Sequence, residues 1–156
     1  MDERQLKDLV KQDSKLSKRF IGVFAADELE SLDISRLARP LALICNTERR
    51  GAVGEHWQAL YLEDDASASF FCSMGLTPAD FITDFVRRSL CPPLRYSTYS
   101  LQSPISSSCG AWAVIFLKRM VRGASMSQFV LSYADYDWTA NEEKLSRQVR
   151  SSFRGY

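Results

Sequence analysis

The sequence predicts a single α+β domain spanning residues 1–156, in which a central mixed β-sheet packs on one buried helix and further helices flank it. Three observations lead there. The chain has 156 residues, enough for one well-packed core and too few for two ordinary domains. Strand-length apolar runs and segments of helical period are mixed along it, with no internal repeat, linker or low-complexity stretch. Residues 109–121 are apolar on nearly every face, as a helix covered on all sides must be.

Each element follows from local pattern. In 2–11, Leu6, Leu9 and Val10 fall at helical spacing among charges, which predicts an amphipathic helix. Residues 20–24 form a short buried strand; 27–39, closed by Pro40, form a loop or short helix; 41–45 form a central strand. The runs 56–62 and 69–72, joined by a polar connection, predict a β-hairpin. Thr77 as N-cap, Pro78 at the first helical position and Asp80 in the first turn open a helix that buries Phe81, Ile82, Phe85 and Val86 and ends before Pro92. Residues 96–101 are read as a strand, and Ser106, Ser107 and Ser108 as a capping run for the helix at 109–121. Helical patterns near 126–133 and 139–153 complete the chain.

Composition bounds the function. With 46% hydrophobic, 25% charged and 12% aromatic residues, the chain is neither disordered, collagenous nor a coiled coil. Twenty Lys and Arg against nineteen Asp and Glu give a net charge of +1, so no electrostatic excess points to nucleic acid or an anionic membrane. A charged N-terminus and the lack of any apolar run of about 18 residues predict a soluble intracellular protein without signal peptide or membrane span. Cys45, Cys72, Cys91 and Cys109 lie 27, 19 and 18 positions apart beside a single histidine, His56, which supports neither a zinc site nor a disulfide framework. No metal or cofactor is expected.

Chemistry concentrates at Cys109. A cysteine at a helix start faces unpaired amides and the positive end of the macrodipole, an environment that favours the thiolate, and Gly110 would let a carbonyl approach the backbone. Gln102, seven residues earlier, is placed to donate to an oxyanion beside the Cys109 amide. His56 opens a strand after the glycine-bearing segment 49–54.

The ordered segments Gly54-Glu55-His56-Trp57, Phe70-Phe71-Cys72-Ser73-Met74-Gly75, Leu101-Gln102-Ser103-Pro104 and Ser107-Ser108-Cys109-Gly110 resemble the adenovirus-type cysteine endopeptidases (adenain), relatives of the SUMO-specific proteases. The likeness covers about residues 1–122 and includes Phe20-Ile21-Gly22 and Cys45-Asn46-Thr47. It implies an adenain-like fold, with Cys109 as nucleophile, His56 as general base and Gln102 completing the oxyanion hole. Where that family has an acidic residue, this chain has Cys72. A hairpin turning near Asp64 would set positions 56 and 72 opposite each other and leave Asp64 and Asp65 about 25 Å away at the tip, so the orienting carboxylate is missing.

Two readings follow. One is an endopeptidase working as a Cys-His dyad on protein substrates, with small residues, often glycine, at the scissile bond, as in maturation proteases of viruses or mobile elements. The other is a pseudo-protease that keeps the groove as a peptide-binding surface. The resemblance also implies two partners: an activating peptide disulfide-bonded through Cys91, and DNA on a face made by Lys118, Arg119, Arg122, Arg147, Arg150 and Arg154. For those basic residues a solvated helix surface is the competing reading.

Overall fold

A computed structural model describes residues 1–52, 56–63, 67–90 and 93–154. Asp2 caps helix α1 (Glu3–Lys11) reciprocally: its carboxylate accepts from the Gln5 amide, and the Gln5 side chain accepts from the Asp2 amide. The helix buries the expected Leu6, Leu9 and Val10. Next come α2 (Ser14–Ser17), β1 (Phe20–Phe24), α3 (Ala26–Ser31), β2 (Leu41–Asn46), β3 (Trp57–Leu62) and β4 (Ala68–Phe71). The rest of the chain forms α4 (Asp80–Leu90), β5 (Leu94–Tyr96), α5 (Cys109–Met120), α6 (Met126–Val130) and α7 (Trp138–Ser152).

The five strands lie in chain order, β1-β2-β3-β4-β5. β1 runs parallel to β2, β2–β3 and β3–β4 are antiparallel, and β4–β5 is parallel, which makes the sheet mixed as expected. β2 and β3 are buried along their whole length because both faces are covered. Alternation sends Ala42, Ile44, Trp57, Ala59 and Tyr61 to a core shared with α1, α5, α6 and α7, and Leu41, Leu43, Cys45, Leu60 and Leu62 to a second core shared with α3 and α4. Within the first core, Phe71 stacks on Phe116 at 4.8 Å between ring centroids and meets Phe129 edge-on at 5.2 Å.

Two elements differ from the sequence expectation. β5 covers Leu94–Tyr96, so residues 97–101 are not strand. Its parallel partner β4 is four residues long, and once that ladder ends the Leu101 and Gln102 amides turn to the Ser73 carbonyl, at 2.8 and 2.9 Å. α4 begins at Asp80, with Ile82 and Thr83 donating to the Ala79 carbonyl. Thr77 precedes a proline, which biases it toward extended backbone, so Thr77 and Pro78 remain outside the helix.

Candidate active site

His56 immediately precedes β3 and Cys72 immediately follows β4, so the hairpin brings them to the same end of the sheet. The ladder pairs Ala59 with Phe71 and Leu60 with Phe70, which carries Gln58 opposite Cys72, two residues from the register that sets 56 against 72. A shift of two preserves the face on which a side chain points. His56 therefore still meets Cys72, with Nε2 at 3.2 Å from Sγ. Asp64 and Asp65 lie outside the described residues.

Cys72 is a buried thiol in a donor-rich setting. Burial pushes it up from the ordinary thiol range, while the backbone amides of Leu76 and Met74 and the Gln58 side chain, all hydrogen-bonded to it, act the other way. The nearby Cys109 also disfavours its ionisation, which places the two thiols in one cluster. Burial holds His56 below the usual imidazole range, and its Nδ1 is buried with no hydrogen-bond partner among the described residues. Burial pushes Cys45, fully buried beside Cys72, far above the usual thiol range.

Cys109 is the first residue of α5 and only 7% exposed. Gln102, completely buried, is held from both ends: its Oε1 accepts from the Ser73 hydroxyl at 2.6 Å, and its Nε2 donates to the Ser106 carbonyl at 2.8 Å. One amide hydrogen remains for another acceptor. Ser73, which follows Cys72 directly, thus links the His56–Cys72 contact to the Gln102 loop. From the other side the buried Asn141 of α7 donates to the Leu101 carbonyl at 3.3 Å and the Ala134 carbonyl at 2.6 Å. His56, Cys72, Gln102 and Cys109 are in this way gathered from four separate segments.

At Gly110 a Cβ would meet Leu6 Cδ2 at 2.9 Å and Met1 Sδ at 3.2 Å, so the missing side chain makes room for α1. Trp57 Nε1 donates to the Met1 carbonyl at 2.8 Å on the same side. A cavity of about 310 Å³ adjoins the start of α5, lined by Met1, Ser107, Ser108, Ala111, Glu142 and Leu145 among others. Sequence reasoning missed Ser73, Asn141 and Glu142. Ser73 carried a local signal in its place beside Cys72, whereas the two α7 residues carried none.

The basic residues considered for DNA divide. Lys118 and Arg122 converge on the buried Asp13 of the turn into α2, at 3.8 and 2.8 Å. Arg147 and Arg150 line an open groove along α7 together with Glu142 and Glu143. Cys91 lies outside the described residues. Among the described residues no helix is long and apolar enough to cross a membrane.

This arrangement, a mixed sheet on a buried helix with flanking helices on both faces, is a fold shared with solved structures, a protease among them. The ASFV pS273R protease shares it with a TM-score of 0.69 at 15% identity, over 96% of this chain and 66% of that one. A second structure of that protease, with selenomethionine, gives 0.57 at 16% identity over 76% of this chain and 46% of that one. The central domain of the uncharacterized Lpg1148 protein from Legionella pneumophila gives 0.52 at 12% identity, over 97% and 96%. The chain thus spans just under two thirds of the viral protease's length. At these identities the likeness is one of fold. No protein-family model and no curated protein matches the chain.

Proposed function

We propose that the chain is a cysteine endopeptidase with an adenain-like division of labour. The observation that supports this reading is a helix that begins with Cys109, near a His56–Cys72 contact, in a fold shared with a protease. His56 Nε2 carries its proton toward the Cys72 sulfur, and the unpartnered Nδ1 is then the lone pair that accepts the Cys109 proton. The thiolate attacks the scissile carbonyl, the Gln102 amide and the Cys109 backbone N–H receive the oxyanion, and His56 returns the proton to the leaving amine. Water then hydrolyses the acyl-enzyme with His56 again as base. Small residues, glycine in particular, are proposed at the scissile bond on the resemblance alone, as is a maturation role in a virus or mobile element.

One observation favours the second reading, a pseudo-protease that binds peptide without cutting it: the side chain on His56 Nε2 is a buried thiol and not a carboxylate. A peptide carrying an electrophilic group in place of the scissile bond separates the two. An active enzyme is labelled on Cys109 and hydrolyses a Gly-containing fluorogenic peptide, and Cys109→Ala abolishes both. A folded protein that is neither labelled nor active overturns the enzyme reading. DNA and an activating peptide on Cys91 remain proposals of the same resemblance, tested by adding each to that assay.

A further inference from the structure

Gln102 is completely buried, and its carboxamide offers one acceptor oxygen and two N–H donors. The Ser106 carbonyl can only accept, so the atom that faces it at 2.8 Å is Nε2, and Oε1 lies at the other end of the group. There it receives the Ser73 hydroxyl at 2.6 Å. Among the described residues Oε1 has no other partner. Ser73 is itself buried, and its carbonyl receives the backbone amides of both Leu101 and Gln102. One residue therefore holds Gln102 by backbone and by side chain. It directly follows Cys72, which contacts His56.

A planar carboxamide tied at one point still turns. Tied at two, on its oxygen and on one N–H, it has a fixed plane, and the direction of the second N–H follows from that plane. We propose that Ser73 is a positioning residue that aims this second N–H of Gln102. The inference rests on the protease reading for what stands in front of that N–H, the developing oxyanion, though not for the clamp itself. Without the Ser73 hydroxyl the carboxamide keeps only its bond to the Ser106 carbonyl, and its oxygen is left buried and unpaired. The terminal torsion of a glutamine is broad, so one bond does not hold the second N–H to a single direction. An oxyanion donor works by being oriented before the charge develops, and that orientation is lost. Ser73 touches no reacting atom in this account and acts entirely through Gln102.

That dependence gives the test. In a Gly-containing peptide assay, Ser73→Ala is expected to lower kcat about tenfold, with KM within about twofold; Gln102→Ala should show the full 10²- to 10³-fold, roughly, that loss of an oxyanion donor costs. Alkylation of Cys109 by iodoacetamide displaces iodide and forms no oxyanion, so its rate in Ser73→Ala stays near that of the wild type. The double variant Ser73→Ala, Gln102→Ala is no slower than Gln102→Ala alone, since nothing is then left to aim. Unchanged kcat in Ser73→Ala, alkylation that falls in parallel with kcat, or a further loss in the double variant overturns the proposal. Side-chain amide NMR supplies a readout independent of turnover. The Gln102 Nε2 hydrogens, assigned by their absence in Gln102→Ala, exchange slowly with solvent in the wild type and faster in Ser73→Ala. A wild-type pair that exchanges like that of a solvated glutamine overturns the clamp even if Ser73→Ala does not fold. If the wild type shows no Cys109-dependent hydrolysis, the protease reading falls by itself, and exchange that Ser73→Ala leaves unchanged still overturns this one.

Discussion

In the proposed mechanism the contact between His56 and Cys72 sets how strongly Cys109 reacts. The Cys72 sulfur sits among the amides of Met74 and Leu76, the Gln58 side chain and His56 Nε2, donors that suit a carboxylate better than a neutral thiol. Cys72→Asp is accordingly expected to fold and to raise turnover and Cys109 alkylation near neutral pH. The gain should be about 10- to 100-fold, since an adjacent carboxylate raises a histidine pKa by roughly one to two units. Cys72→Ala should leave both nearly unchanged, and lower activity in a folded Cys72→Asp protein would assign the thiol a role of its own. His56 itself makes stability depend on pH. Its folded pKa is depressed by burial, so the unfolded chain binds the proton more readily. Its contribution is intact above the unfolded value near 6.5 and is lost as pH falls toward the folded one. Urea titrations between about pH 7.5 and 5 should therefore show wild type losing stability relative to His56→Gln, and parallel profiles would refute this.

At the scale of elements, the turn after β4 connects the two halves of the site. Gly75 has φ +74°, and a Cβ there would lie 2.5 Å from the Thr98 carbonyl oxygen and 3.0 Å from the Tyr99 carbonyl carbon. Only glycine lets this turn close on the segment that leads to Gln102. Gly75→Ala is expected to destabilise the fold by about 2 to 4 kcal/mol, combining left-handed strain with an overpacked contact against backbone. Chemical denaturation measures it, and a cost below about 0.5 kcal/mol, the ordinary surface value, would contradict the close approach. The same turn explains how Ser73 reaches Gln102: with Leu101 and Gln102 both bonded to its carbonyl, the Ser73 hydroxyl is carried to within 2.6 Å of the Gln102 side chain.

Across the whole molecule, the sheet is covered on both faces, and the aromatic group of Phe71, Phe116, Phe129 and Tyr133 fastens β4 to α5 and α6. Phe116 is fully buried and touches two of these rings. Phe116→Ala should cost about 3 to 5 kcal/mol in thermal or urea unfolding, because the surrounding layers cannot collapse into the space. Since α5 also presents Cys109, the variant is expected to lose nucleophile labelling in parallel with stability. Retained stability would show that the two cores unfold separately.

The local signals in the chain determined most of the elements: the capping pair Asp2 and Gln5, the period of α1, and the apolar surface of α5 are each set within a few residues. They also determined that His56 and Cys72 share a face, because the period of a strand is two and a register error of two residues leaves that face unchanged. The length of β5 was decided only by where its partner β4 ends, and the space at Gly110 only by the packing of α1. The same holds for the partner of Ser108. Its hydroxyl bonds Glu142, which lies 34 residues away and comes within reach only once α7 has docked beside α5. A pattern in sequence reports contacts within a few residues, and one of this kind exists only in three dimensions.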